Sequence, residues 1–327
     1  MLDIPRELAP ISETLALSLR RVEHAFAAAV DSESAPVQAL LTHVERYRGK
    51  MLRPSLVVLS SLACAPDTDV PEGAITAAAV VEMVHMATLV HDDVLDEADL
   101  RRDGPTINHL RGNEAAVMLG DYLLASAYAL CSSIPQREAA VIVARASVTT
   151  CAGELLQLHH RADEGLDEAT YLDIIAKKTG DLIGASAEVG AIVADAPIAR
   201  RTALRRFGVH LGMAFQIRDD LLDLLSSDAD LGKPAGRDAA LGKATLPLIH
   251  HLRAADPATR SKTLSAARGG DRTALRNALE ATGSLAYARE TATDLVRRAK
   301  HGLAPVTASP ARDFLLVAAD AVLTRNR

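Results

Sequence analysis

Apolar positions recur with a helical period along nearly the whole chain. The pattern predicts helices over 8–30, 36–48, 53–65 and 72–99, then over 114–132, 137–160, 167–194 and 198–225. Shorter ones follow over 244–254, 260–267, 272–281, 284–301 and 308–324. The stretch 72–99 is the strongest, with Ile75, Ala78, Val81, Met83, Val84, Leu89 and Val90 repeating turn after turn. No Pro/Gly/Ser-rich linker divides two cores and no internal repeat is visible. An all-α, single-domain helical bundle over residues 1–327 is therefore expected. Two polar loops break the pattern. One runs over 101–106, and a longer one over 226–243 carries three Gly, one Pro and two Lys. Irregular loops of that length in compact domains are often lids.

Composition narrows the class. Of the 327 residues 49% are hydrophobic but only 3% aromatic, with five Tyr, four Phe and no Trp. An apolar content built on Ala, Leu and Val favours helices over sandwiches or barrels. Thirty-six basic against 42 acidic side chains leave a charge of −6, which argues against a nucleic-acid surface. Cys64, Cys131 and Cys151 are too scattered for a disulfide framework or a zinc site and read as free thiols of a reducing compartment. The start lacks a basic stretch followed by an apolar one. The longest charge-free run, 122–136, holds three Ser and a Pro and falls short of the ~18 apolar residues a membrane span needs. A cytoplasmic protein without a transmembrane segment is expected.

Chemistry concentrates at two places. His91-Asp92-Asp93-Val94-Leu95-Asp96 closes the strongest helical stretch. Helical spacing puts Asp92 and Asp96 on one face, ~6 Å apart along the axis, where like charges repel. Alone, such a motif is more often a solvated acidic helix end. Gln216-Ile217-Arg218-Asp219-Asp220-Leu221-Leu222-Asp223 repeats the spacing, again at the end of an apolar helix. Two acidic walls offering only oxygen donors suit Mg²⁺, which keeps waters and bridges to phosphates. The pairing suggests a diphosphate held through magnesium. Cations for such a group stand in Gly49-Lys50-Met51-Leu52-Arg53-Pro54, at Arg101 and Arg102, at Lys178-Thr179, and at Lys233 and Lys243. Each by itself is more often a solvated surface charge.

From Gly49 to Pro247 this arrangement resembles the trans-type (E-type) isoprenyl diphosphate synthases, the polyprenyl synthetases. The resemblance rests on Gly49-Lys50-x-x-Arg53-Pro54 and on Glu82-x-x-His85 running into the first acidic motif. Arg101-Arg102-x-x-Pro105-Thr106, Gly120-Asp121, Gly153-Glu154 and Lys178-Thr179-Gly180 follow in order. Gln216-x-x-Asp219-Asp220-x-x-Asp223 and Leu231-Gly232-Lys233 through Gly242-Lys243-x-Thr245-Leu246-Pro247 complete it. Arg48 stands where the family often has a second Gly, and Met51 where a basic residue is common.

The resemblance implies the isoprenoid synthase fold, a helical bundle around a central cavity, assembled as a homodimer. It also implies an allylic diphosphate held by three Mg²⁺ on Asp92 and Asp96 opposite Asp219 and Asp223, with Lys178, Lys233 and Arg101 neutralising it and Lys243 in the same loop region. Isopentenyl diphosphate would bind through Lys50, Arg53, His85 and Arg102. The C–O bond would break to an allylic cation faced by Thr179 and Gln216, the isopentenyl double bond would attack it, and loop 226–243 would close over the site. Small residues before the first motif, Thr88 and Ala87 with Val84 and Val81 deeper, resemble those of long-chain, octaprenyl-type members. That pattern implies products longer than geranylgeranyl diphosphate; a short-chain geranylgeranyl or farnesyl diphosphate synthase is the alternative.

Other classes account for less. A His-Asp metal phosphohydrolase gives the second motif no role. A terpene cyclase shares the fold but lacks the anchors Lys50 and Arg53, and a non-catalytic partner subunit would have lost the acidic motifs. His85, Gln216 and Thr179 taken singly could be satisfied structural polar residues. His159 and His160 are adjacent on a helix, point apart, and read as surface or loop residues.

Overall fold

The computed structural model describes residues 5–47, 49–66, 68–101, 104–225 and 237–324. Arg102, Lys233 and most of the 226–243 loop lie outside them. Helices come in the order α1 (Ala9–Val30), α2 (Ala35–Val44), α3 (Leu52–Cys64) and α4 (Glu72–Leu95). A hairpin, β1 (Leu100–Arg101) and β2 (Gly104–Pro105), then leads to α5 (Ile107–Arg111), α6 (Asn113–Cys131), α7 (Arg137–His159) and α8 (Glu168–Ile175). A π-helical turn at Ala176–Gly180 joins α8 to α9 (Asp181–Val193), which α10 (Ile198–Leu225) follows. The remainder is α11 (Arg237–Ala240), α12 (Leu246–Ala254), α13 (Pro257–Arg268), α14 (Arg272–Ala281), α15 (Ser284–Gly302) and α16 (Pro310–Thr324). Among the described residues the antiparallel pair Leu100↔Pro105 and Arg101↔Gly104 is the whole of the sheet. The expected all-α class holds.

Three elements depart from the periodicity for local reasons. Apolar spacing carries the fourth helix to 99, but α4 stops at Leu95 because Glu97 takes a left-handed φ of 49°. The Ala98 N–H then bonds the Asp93 carbonyl and the Glu97 N–H the Val94 carbonyl, a Schellman stop. The predicted 167–194 helix is interrupted by its π turn, and the predicted 36–48 helix tightens after Val44 into a 3₁₀ turn at Glu45–Tyr47.

The chain divides into two compact units, each discontinuous in sequence. The first comprises Met1–Ser147, Leu182–Gly208 and Gly302–Ala318. Its axis is α4, which is apolar on every face and packs against α1, α3 and α6. Close approach is enforced at Gly190 of α9, where a Cβ would lie 2.2 Å from the Val57 carbonyl oxygen of α3. The second unit comprises Val148–Asp181, Val209–His301 and Ala319–Arg327. Here α12 packs against α8 and α14, and α13 against α14, with Leu275 and Leu279 of α14 buried.

By length and composition α4, α6 and α7 are each apolar enough to cross a membrane, which corrects the reading that no stretch of the sequence is long and apolar enough. Counting only charge-free residues missed them, because an 18-residue window stays apolar with one or two charges in it. The apolar window of α4 is 72% buried inside the protein, and those of α6 and α7 are 33% buried.

His251 is fully buried in the second unit, its Nδ1 2.9 Å from Thr282 Oγ1 and its Nε2 2.9 Å from Thr263 Oγ1. Burial, and then His250 and Arg260, hold its pKa below the ordinary value. The unfolded chain thus takes up the proton first, so this contribution is complete above the ordinary histidine pKa of ~6.5 and is lost as pH falls through it toward the folded value. The melting temperature is expected to drop from pH 7.5 to 5.5 in the wild type, and to drop less in His251→Gln.

Candidate active site

In the first unit the site is built where α4 ends. Asp93 is 2% exposed and is gripped side-on by Arg101, whose Nε lies 2.9 and 3.0 Å from the two carboxylate oxygens and whose Nη2 lies 2.8 Å from Oδ1. Burial pushes the Asp93 carboxyl up, and the Arg101 guanidinium draws it back down. That guanidinium sits 5.8 Å from the Tyr47 ring centroid. The Tyr47 hydroxyl accepts the Ile107 N–H at 3.0 Å, and burial followed by the Asp93 charge pushes its pKa up to about 12. Thr106 donates its hydroxyl to the Ala98 carbonyl at 2.6 Å and Asn108 its amide at 3.0 Å, folding the hairpin back onto the helix end. Asp92 and Asp96, by contrast, are only half-buried.

Two features hold this corner in register. His91 lies over Gly120 of α6, where a Cβ would come within 2.1 Å of its Nε2, and that nitrogen reaches the Val117 carbonyl at 3.2 Å and Asp121 at 3.6 Å. Lys50 is exposed and Arg53 half-buried on either side of Met51, a buried residue at φ 53°. A left-handed non-glycine residue is strain that surrounding contacts must hold. Here the Ser55 hydroxyl and N–H both bond the Met51 carbonyl, at 2.7 and 2.9 Å. Burial lowers Arg53 to about 10, against the pull of Glu82, which is 2% exposed on α4. His85 stands three residues further along the same face of α4.

The second unit carries the other half of the predicted residues. Asp219 is half-buried at the end of α10, while Asp220 and Asp223 are buried. Asp220 accepts the Tyr171 hydroxyl at 2.7 Å and the Gln216 amide at 2.8 Å. Burial, then the nearby Asp238, raise its pKa to about 7. Gln216 Oε1 accepts the Thr179 hydroxyl at 2.8 Å. Asp223 accepts the Asp238 N–H at 3.2 Å. Lys178, in the π turn, is ion-paired with Glu154 of α7. The turn can lie so close because Gly153 has no Cβ, which would sit 2.6 Å from the Lys178 nitrogen. Lys243 reaches to 3.8 Å from Asp238. Tyr171, Lys178, Gln216, Asp220, Asp238 and Lys243 line a cavity of about 80 Å³. His160 also lines it, half-buried in the turn after α7 and bonded to Asp163 at 2.8 Å, and His159 is exposed, in line with the reading of the two as surface or loop residues.

The polyprenyl synthetase family profile matches residues 34–282. The chain belongs to that family. It is 36% identical to the short chain isoprenyl diphosphate synthase of Methanothermobacter thermautotrophicus, over 87% of this chain and 89% of the relative. To the octaprenyl diphosphate synthase of Escherichia coli it is 32% identical, over 98% of this chain and 99% of the relative. A crystal structure of a Caulobacter crescentus polyprenyl synthase complexed with calcium and isoprenyl diphosphate superposes with a TM-score of 0.90 at 34% identity, covering 98% of this chain and 97% of that one. The chain is accordingly a prenyltransferase of the all-α isoprenoid synthase fold.

A polyprenyl synthetase needs carboxylates for a divalent metal, and the donor set here fits a hard cation. Among the described residues no three His, Cys, Asp or Glu side chains are gathered into a ready-made metal cluster. Mg²⁺ is ordinarily held by one or two carboxylates with waters and substrate phosphates completing the shell, which matches acidic motifs whose middle carboxylate is committed to the protein. Sequence reasoning assigned roles to the outer carboxylates, gave Glu154 as part of a motif without a role, and passed over Tyr47, Tyr171 and Asp238. Tyrosine offered a signal: there are only five, and a buried phenol needs a partner for its hydroxyl.

Asp92 and Asp93 are neighbours that differ in burial, and their removal separates them. Asp93→Ala is expected to leave the Arg101 guanidinium uncompensated and to cost about 3–5 kcal/mol of stability. Asp92→Ala is expected to leave the denaturant midpoint unchanged or slightly raised, because it relieves like-charge repulsion. Equilibrium urea unfolding of both variants measures the difference.

Proposed function

We propose that this prenyltransferase condenses isopentenyl diphosphate with an allylic diphosphate, releasing pyrophosphate and an all-trans polyprenyl diphosphate longer than geranylgeranyl diphosphate. The observation that supports it best is shared by both acidic motifs. In each, the middle aspartate is committed to protein partners and the first is left half-buried at the helix end. Asp92, Asp96, Asp219 and Asp223 are the carboxylates that would hold magnesium, three ions by the family resemblance. When bound, the metal neutralises the leaving diphosphate.

The chain's own groups supply the rest. Lys178, Lys243 and Lys233, with Arg101, oppose the charge of the allylic diphosphate, Lys178 after exchanging its Glu154 partner. Lys50, Arg53, His85 and Arg102 hold isopentenyl diphosphate; strain at Met51 presents Lys50 and Arg53 on a fixed turn. Thr179 and Gln216 orient oxygen dipoles toward the cation formed as the C–O bond breaks. Attack by the isopentenyl double bond follows, and the departing pyrophosphate takes the final proton. Loop 226–243 closes to exclude water.

Product length rests on the wall before Asp92. Ala87, Val84 and Val81 are buried on α4, and Thr88 turns its hydroxyl back to the His85 carbonyl at 2.7 Å, so no bulky group stands there. Relatives with short-chain, geranylgeranyl and octaprenyl products all match, which keeps the short-chain reading in play. Mass analysis of products after incubation with Mg²⁺, isopentenyl diphosphate and starters of increasing length decides. Chains beyond geranylgeranyl are expected from the wild type, shorter ones from Ala87→Phe or Thr88→Phe, and none from Asp92→Ala or Asp219→Ala. A wild type that stops at geranylgeranyl or below sinks the long-chain reading. Near-full activity in either aspartate variant sinks the metal assignment.

A homodimer is also proposed. Helix α7 exposes Val141, Val148 and Leu155 at seven-residue spacing, and α6 exposes Val117, Met118 and Tyr128. Such apolar stripes are a habitual helix–helix seam. Light scattering is expected to give twice the 34.6 kDa chain mass, and Val148→Glu to bring it down to the monomer.

A further inference from the structure

A chain of three hydrogen bonds in the second unit fixes the direction of one hydroxyl. Asp220 accepts from Tyr171 through Oδ2 and from Gln216 Nε2 through Oδ1, at 2.7 and 2.8 Å. An ionised Asp220 has only lone pairs to offer, and in keeping with that the Gln216 amide turns its NH₂ toward Asp220 and its carbonyl oxygen toward Thr179. That carbonyl in turn accepts the Thr179 hydroxyl at 2.8 Å. Thr179 has one proton, and it is used there. The hydroxyl's lone pairs are then left for whatever else it faces. Tyr171, Asp220 and Thr179 are 4%, 5% and 8% exposed, and Gln216 between them is half-buried.

We propose that Tyr171 is a positioning residue for prenyl transfer, setting through Asp220 and Gln216 the Thr179 hydroxyl so that lone pairs, and not a proton, meet the developing allylic cation. The proposal rests on the prenyl-transfer reading above and adds to it a residue that touches no substrate. A hydroxyl turned the other way would present its positive end to a cation and raise the barrier it is placed to lower. Tyr171 supplies the polarity at its source. Without its phenol the carboxylate loses one of two donors and the freedom to rotate away from Gln216 returns. The first unit also bonds a tyrosine, Tyr47, to the equivalent aspartate, but there the Arg101 cation grips the carboxylate as well.

Steady-state kinetics of the full-length enzyme test this with two variants. Tyr171→Phe removes the donor and is expected to lower kcat about tenfold, with both KM values and the Mg²⁺ midpoint within twofold of wild type. Asp220→Asn keeps the shape but can donate to Gln216, which flips the amide and reverses the chain; its kcat is expected to fall about a hundredfold with the same unchanged Mg²⁺ midpoint. In a Thr179→Val background Tyr171→Phe is expected to have no further effect. The proposal is overturned if Tyr171→Phe keeps kcat within twofold, if it costs the same factor without the Thr179 hydroxyl, or if the loss appears in KM or the Mg²⁺ requirement. Should Tyr171→Phe fail to fold, Asp220→Asn decides by the same criteria. A wild type that consumes allylic diphosphate without isopentenyl diphosphate overturns the prenyl-transfer reading instead, a separate outcome.

Discussion

Three carboxylates within five residues of a helix cannot all stay exposed and ionised without a counter-charge, and the protein meets this constraint by burying Asp93 in the first set and Asp220 and Asp223 in the second. Asp93 is held by Arg101 beneath Tyr47, and Asp220 by Tyr171 and Gln216. The burial relieves repulsion along the helix, with Asp92, Asp96 and Asp219 half-buried beside it. It also ties each motif to a distant segment: the first to the turns at 45–47 and 100–108, the second to α8 and the π turn.

The two solutions differ in charge, and the difference has chemical consequences. Arg101 neutralises Asp93 outright, so that corner is an ion pair with fixed geometry. Asp220 has a phenol and an amide as its hydrogen-bond donors, and burial with the neighbouring Asp238 raises its pKa to about 7. A buried acceptor of that kind polarises the groups bonded to it. Gln216 and Thr179 are those groups.

Irregular backbone gathers where substrates are proposed to bind. Met51 is left-handed between Lys50 and Arg53, Glu97 is left-handed beyond Asp96, and Lys178 and Thr179 sit in a π turn. Regular helix would have carried each of these side chains around to another face. Glycines without room for a Cβ, Gly120 under His91 and Gly153 under Lys178, let the neighbouring helices press close enough to hold them.

Helical class, nearly all helix positions and the two acidic motifs were legible in the chain, because a 3.6-residue apolar period and a carboxylate spacing are local properties. Periodicity placed α10 and α14 at the bounds they have. It ran past Leu95 and through Ala176–Gly180, since a left-handed stop and a π turn are set by hydrogen bonds that spacing does not encode. Resemblance brought the candidate residues together as a set, yet no spacing in the sequence links Tyr47 to Asp93 or Tyr171 to Asp220, 46 and 49 residues away. Which aspartates of each motif are buried was decided by tertiary structure alone: both motifs read the same along the chain, yet Asp93 is the buried one of the first, and Asp220 and Asp223 are buried in the second.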